Sequence, residues 1–315
     1  MFKIGEAPSL EAGPVEHADF LELECLRQSD RNASGSDLAA ALGRVDDDLP
    51  EERRWSDTRM ENVVDDAFSE LGYRQQQSGV GPHVYPFGVN EAARLMEFIG
   101  KKNNWGLYFF MLFATRMNMR DHKVQGGIDG TALFEEICCE VAKNYWGERA
   151  DGMVFGTARR TDTSEVGAFP AAVNDLCKRL QEGVEYCSHS GFPPAAQDGN
   201  LDVVVWKHFT DGKHGKLVGF GQCKTGTHWK NGLFEMAPTG FCQKWVRTLP
   251  VVEPVRLYFM TSRLRPSKWY DCSVDGGILF DRCRILDYAP RMATLKDRWL
   301  AWTRAAMKSQ KIRVI

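Results

Sequence analysis

The chain has 315 residues, 43% of them hydrophobic and 26% charged, a composition that fits one large or two ordinary globular domains and excludes fibrous and disordered classes. Its most apolar run, Trp105 to Ala114, falls well short of the roughly 20 residues a bilayer-crossing helix needs, and no apolar signal core follows Met1, so a cytoplasmic protein is expected. The net charge of -2 conceals an asymmetry: 20 Lys+Arg stand against 34 Asp+Glu through Asp202, and 20 against 8 from Val203 onward. A basic C-terminal part suits a phosphate backbone, whose counterions are released on neutralisation; the plainer reading is that the acidic and basic parts attract each other within the molecule.

Residues 1 to about 80 read as short helices between polar loops. These include Asp19-Phe-Leu-Glu-Leu, an N-cap at Ser36-Asp37 before Leu38 to Leu42, and an acidic, proline-bearing stretch through Asp46 to Pro50. Gln75 to Pro86, with its glycines and prolines, predicts a linker, and Asn90 to about Met119 a long helical region. A mainly helical N-terminal region (1–120) is therefore expected ahead of an α/β domain (121–315).

After Gly126-Gly127 the positions Phe134, Ile137, Cys138, Val141, Ala142 and Tyr145 repeat at i, i+3, i+4, i+7, i+8 and i+11, which predicts one buried helix face from Thr131 to Trp146. A helix over Ala171 to Glu182 follows, then β-like runs at Leu201 to Trp206, Leu217 to Lys224 and Val255 to Met260. A short helix at Phe241 to Leu249 interrupts them. A further strand near Arg284 to Leu286 and a terminal helix from about Arg291 to Lys308 complete the order. No repeat, low-complexity tract or phosphate-cradling Gly-x-x-x-x-Gly-Lys-Ser/Thr occurs.

Chemistry concentrates at two of the strands. Asp202 opens the first, and twenty residues later Gln222 and Lys224 flank Cys223 near the end of the second. Strand residues i and i+2 share a face, so Gln222 and Lys224 project together, and a hairpin over the polar turn Phe209 to Lys216 would bring Asp202 to them. Phosphodiester hydrolysis needs a divalent cation at the scissile phosphate, an activated water and a positive group for developing charge. Asp202, the Gln222 side-chain oxygen and the Cys223 backbone carbonyl are hard oxygen ligands suited to Mg²⁺ or Mn²⁺, and Lys224 supplies the positive group. Glutamine lowers the site's negative charge and makes a further carboxylate valuable. Glu135, Glu136 and Glu140 on the preceding helix are candidates.

Phe134-Glu135 in a helix, Asp198-Gly-Asn-Leu-Asp202 leading into a strand, and Gly221-Gln-Cys-Lys224 resemble the Mrr-like branch of the PD-(D/E)xK nucleases. The resemblance covers Gly126 to Ser262. It implies a restriction-endonuclease-like central mixed sheet flanked by helices, and a metal-dependent endonuclease acting on DNA in restriction or antiphage defence. Carried over by position, Asp202 would be the metal-binding aspartate, Gln222 the second ligand, Lys224 the catalytic lysine and Glu135 the helix carboxylate. The chain departs from the pattern at Asn200, where glycine is common, and in a longer helix-to-strand spacing, which keeps Glu136 and Glu140 open.

Thr225, His228, Trp229 and Lys230 follow the lysine strand directly and are candidates to line a DNA groove or to form a plain loop. His208, His214 and His228 lack metal-pair spacing, and the nine cysteines lack a Cys-x-x-Cys pair, so surface histidines and reduced buried thiols are expected. Trp299 and Trp302, with Arg298 and Arg304, have the spacing of a packing face. The expected partner is DNA, with a homodimer or a defence-system protein beside it. Two other readings differ in class: a silent nucleic-acid-binding module of the same fold, and a subunit held inactive by a partner.

Overall fold

The computed structural model of the protein describes residues 4–47, 55–78, 85–101, 104–156, 168–188 and 200–314. Residues 48–50 of the acidic stretch, 79–84 of the expected linker and Asp198-Gly199 of the turn before the first site strand lie outside them.

The chain begins with α1 (Pro14–Arg27), β1 (Asn32–Ser34), α2 (Gly35–Asp47) and α3 (Asp57–Gln77). Pro14 sits in the first turn of α1, where its missing N–H is no loss. The cap of α2 is Ser34 rather than Ser36-Asp37: the Asp37 amide donates to Ser34 Oγ (3.3 Å) and the Asp37 carboxylate accepts the Ser34 amide (2.8 Å).

The long helix expected from Asn90 is two strands and a shorter helix: β2 (Phe87–Asn90), β3 (Leu95–Phe98) and α4 (Gly106–Arg116). Asn90 Oδ1 accepts the Ala93 amide (3.1 Å), starting a reversal that Arg94 completes at φ +48°. The strand that returns pairs with both β2 and β1, a long-range ladder that overrides the helix-forming Glu-Ala-Ala-Arg. Every residue of α4 is buried, and Gly106, lacking a side chain, admits Leu300 of the terminal helix to its backbone.

A short α5 (Met119–His122) leads to β4 (Val124–Gln125) and β5 (Ile128–Asp129), a hairpin turned by Gly126 and Gly127 at φ +56° and +78°. The helix expected from periodicity follows as α6 (Gly130–Trp146). Asp129 caps it, accepting the amides of Thr131 (2.9 Å) and Ala132 (3.2 Å), and Gly147 at φ +77° ends it.

The remaining elements are β6 (Ala150–Val154), α7 (Ala168–Leu180), β7 (Val203–Lys207), β8 (Val218–Lys224), α8 (Pro238–Trp245), β9 (Val255–Met260), α9 (Pro266–Gly276), β10 (Ile278–Phe280), α10 (Arg282–Asp287) and α11 (Ala293–Ser309). They build a mixed five-stranded sheet in the order β10-β9-β8-β7-β6, with β8, β9 and β10 mutually parallel and β6, β7 and β8 antiparallel. Sequence periodicity did not announce the edge strand β6 or the crossover helix α9. The strand expected at Arg284 to Leu286 is helix α10, because Asp281 caps it by accepting the Arg284 amide (3.1 Å); the pairing strand is Ile278–Phe280.

Alternation along the strands fills two layers. Val203, Val205, Leu257 and Phe259 face α4, α6 and α11, while Val204, Trp206, Val218 and Phe220 face α7 and α8. Tyr258, Met260 and Leu279 close the second layer against Trp229, Leu233 and α9. The first core runs without a seam across residue 120, from Leu10 to Ile312, with Phe110 of α4 packed on Phe134 (6.5 Å) and Trp302 (5.0 Å).

A buried ion network reinforces this continuity. Asp19 of α1 takes Arg74 (2.7 Å), Arg116 (2.7 Å) and Arg282 (2.9 Å), and Glu22 takes Arg74 (2.8 Å) and the hydroxyls of Tyr85 and Tyr108 (both 2.7 Å). Part of the basic excess beyond Val203 is therefore spent internally, by Arg282 on Asp19, Arg263 on Asp281, and Arg298 on Glu136 (2.8 Å). Among the described residues, no helix is long and apolar enough to cross a membrane.

Candidate active site

The hairpin anticipated between the site strands exists: β7 and β8 pair with Val203 opposite Gly221, and Asp202 extends the pairing by donating its amide to the Gly221 carbonyl (3.0 Å). Asn200 turns the chain into β7 at φ +60°, a conformation asparagine tolerates far better than most residues, so it does at this position what glycine would. The Asp202 carbonyl accepts the amides of Phe155 (2.7 Å) and Gly156 (3.0 Å), and its Oδ2 accepts the Cys223 amide (2.7 Å). The aspartate is thus held where β6, β7 and β8 meet.

Helix α6 delivers Glu135, which is buried, to the same place. A Cβ built on Gly156 would lie 2.7 Å from Asp202 Oδ1 and 3.0 Å from Glu135 Oε2, so the two carboxylates border one cradle that the absent side chain leaves open. The neighbouring glutamates point elsewhere: Glu136 is bound by Arg298 (2.8 Å) and Glu140 by Lys143 (2.6 Å).

On β8, Gln222 is buried with its Nε2 donating to Glu235 Oε2 (2.8 Å), while its Oε1 is buried with no hydrogen-bond partner among the described residues. Lys224, two residues on, donates Nζ to the same Glu235 oxygen (2.6 Å). These donations, that of Lys224 first, hold the Glu235 carboxyl below the usual glutamate range. Glu235 was not anticipated. It belongs to no periodic pattern, but it is the only carboxylate between Asp211 and Glu253 in a lysine-bearing stretch, and that isolation is the signal that could have found it.

The Cys223 side chain lies toward α6. Burial pushes its thiol well above the ordinary range, helped by Cys138 and by the charges of Asp202 and Glu135, so it stays a neutral group. Its main-chain groups face β7, because Gly221, two residues earlier, bonds Asp202 while Lys224 bonds Thr261 on the other side. The Cys223 carbonyl therefore lies on the β7-facing edge of β8, beyond Gly221, the last residue paired with β7.

The candidate DNA-contacting residues separate. His228 and Lys230 are exposed and Thr225 is half-buried. Trp229, by contrast, is 4% exposed among Leu233, Tyr258 and Met260, with Tyr258 donating its hydroxyl to the Trp229 carbonyl. It is a core residue under the turn and is not placed to stack on a base. Sequence could not separate these residues, since an aromatic in a short polar loop looks the same whether it faces in or out. His208 accepts the Trp206 indole N–H (2.7 Å), His214 is exposed, and all nine cysteines are free.

Searches against family models, curated proteins and solved structures return no match.

The fit to a metal therefore rests on the residues themselves. Among the described residues, no three His, Cys, Asp or Glu side chains converge as a metal-holding group. At the sheet end two carboxylates, Asp202 and Glu135, meet at the Gly156 cradle, and the adjoining strand carries the Gln222 amide oxygen and the Cys223 main-chain carbonyl. These are the hard donors that Mg²⁺ and Mn²⁺ prefer. A buried acceptor without a partner costs free energy unless something uses it, and among the described residues Gln222 Oε1 has none. The donor set fits a divalent cation.

Proposed function

We propose that the protein is a metal-dependent endonuclease that hydrolyses phosphodiester bonds of DNA, with a restriction-endonuclease-like sheet of the PD-(D/E)xK kind and its Mrr-like branch. The observation that carries the reading is the cradle at Gly156, bordered by Asp202 and Glu135, with Lys224 and the Gln222 oxygen, buried without a partner among the described residues, on the adjoining strand. Mg²⁺ or Mn²⁺, when bound, supplies charge neutralisation at a scissile phosphate and a water of lowered pKa. Asp202, Glu135, Gln222 Oε1 and the Cys223 carbonyl would hold it.

In this reading Asp202 is positioned by main-chain bonds rather than by a flexible loop, which limits the reorganisation the site must undergo. Lys224 Nζ offers a donor to a phosphate oxygen or to the attacking water. Exposed His228 and Lys230 lie just beyond and suit contact with the DNA backbone. Cleavage of both strands by a chain with one such site requires two copies, so a homodimer goes with a double-strand product. Restriction or antiphage defence in the cytoplasm, with or without a partner protein, is the setting implied by the resemblance.

Purified protein with Mg²⁺ or Mn²⁺ should cut DNA, and Lys224→Ala should cut at least about 100-fold more slowly, the scale of removing one transition-state donor. Equal cleavage by both proteins would remove the assignment. The neutral Gln222 favours one further reading, a module that binds DNA without cutting it; DNA retained intact by the wild type with Mn²⁺ would select that.

A further inference from the structure

We propose that Glu235 is a positioning residue of this site: it fixes the direction of the Gln222 amide, and so aims a neutral oxygen at the place where a carboxylate would otherwise serve. The inference rests on the metal-site reading above and deepens it.

The two ends of a glutamine amide are nearly identical in shape and opposite in function, so the hydrogen-bond network decides which way the group faces. A carboxylate only accepts. Glu235 Oε2 stands 2.8 Å from Nε2 of Gln222, and a reversed amide would set Oε1 against it, two acceptors at hydrogen-bond distance. The donor end is therefore held by Glu235 and the oxygen is turned the other way, where it is buried without a partner among the described residues. The same Oε2 takes Lys224 Nζ at 2.6 Å, so one carboxylate oxygen sets both polar side chains of the Gln-x-Lys strand face.

The local fold explains why Glu235 is there. The short helical turn Trp229–Gly232 runs across Lys224, and a Cβ at Gly232 would lie 2.5 Å from Lys224 Cε and 2.9 Å from the Tyr258 hydroxyl, so glycine lets the chain pass close without displacing the lysine. The Glu235 amide then donates to the Gly232 carbonyl (3.1 Å), which places the carboxylate directly over both side chains. Its own side chain is 40% exposed, so its removal leaves no cavity in the core.

The test is Mn²⁺ binding to the full chain without DNA, measured by calorimetry and by the Mn²⁺ paramagnetic resonance signal. Glu235→Ala should bind Mn²⁺ at least about tenfold more weakly, because the amide is free to turn, whereas Glu235→Gln, which can still accept from both neighbours, should stay within about threefold of wild type. Adding Gln222→Glu to Glu235→Ala should restore binding, since a carboxylate has two equivalent oxygens and needs no steering. A merely structural Glu235 would not be rescued in this way. Unchanged binding in Glu235→Ala, or no rescue by Gln222→Glu, overturns the inference. Asp202→Ala separates it from the underlying reading: no Mn²⁺ binding by wild type, or binding that survives in Asp202→Ala, overturns the metal site and this inference together, whereas binding lost in Asp202→Ala but kept in Glu235→Ala overturns only the role of Glu235.

Discussion

At position 156 any side chain would stand between two carboxylates. The Cβ of an alanine there would meet Asp202 Oδ1 at 2.7 Å, Glu135 Oε2 at 3.0 Å and the Asp202 Cα at 3.1 Å. The backbone contact cannot yield as a flexible side chain can, so Asp202 and Glu135 must give way. Gly156→Ala should weaken Mn²⁺ binding by about tenfold or more, while overpacking at this rim position costs about 1–3 kcal/mol of stability. Calorimetric titration beside a denaturant melt checks both, and Mn²⁺ affinity equal to wild type would show that the cradle is not the cation's place. The glycine was visible in the sequence but carried no expectation, since its use depends on two side chains that reach it from elsewhere in the fold.

Two elements bring the chemistry together, the β7/β8 hairpin and the second turn of α6, which carries Glu135. The hairpin was legible because alternation and a polar turn are local properties. The choice of Glu135 over Glu136 and Glu140 was not, since it depends on Glu135 meeting Asp202 at Gly156 and on Arg298 from α11 taking Glu136, while Lys143 takes Glu140 within the helix. The cap of α6 positions that turn. Burial raises the Asp129 pKa, but hydrogen bonds from the Thr131 hydroxyl, Lys123 and the Ala132 and Thr131 amides outweigh it, so the carboxyl ends below the ordinary value. A group depressed in the folded state stabilises above its unfolded pKa of about 3.9 and loses that contribution as pH falls through the lowered folded value. Asp129→Ala should cost about 1 kcal/mol at neutral pH. The gap to wild type should narrow in acid below about pH 4, as followed by denaturant unfolding across pH 3–7. A gap independent of pH would refute the charged cap.

Across the whole molecule, the residues before 120 and those after it share one core and one ion network. Asp19 is fully buried against Arg282, Arg116 and Arg74. Burial alone would raise its pKa, but the three guanidinium groups, Arg282 foremost, drive it well below the aspartate range. Removing the carboxylate takes a shared anion from three buried cations, leaving Arg74 and Arg282 to Glu22 and Arg116 to Glu16, so Asp19→Ala should destabilise the full chain by about 3–5 kcal/mol. Guanidinium unfolding followed by tryptophan fluorescence should show the loss in the single transition that includes Trp299 and Trp302 of α11. If α1 came loose while the α11 tryptophans melted as in wild type, the network would not be what joins the two ends of the chain.

By itself the sequence determined the sheet strands β7, β8 and β9, helices α6 and α11, and the pairing of Gln222 with Lys224 on one strand face. These follow from periodicities of two and 3.6 residues, which the backbone imposes within a few neighbours. Only tertiary structure decided the rest: that Asn90 turns into a strand, that Trp229 is buried, that Glu135 is the helix carboxylate beside Asp202, and that Glu235 holds Gln222 and Lys224. In each case the deciding partner lies far along the chain or across a layer, and local pattern carries no record of what packing brings within hydrogen-bond reach.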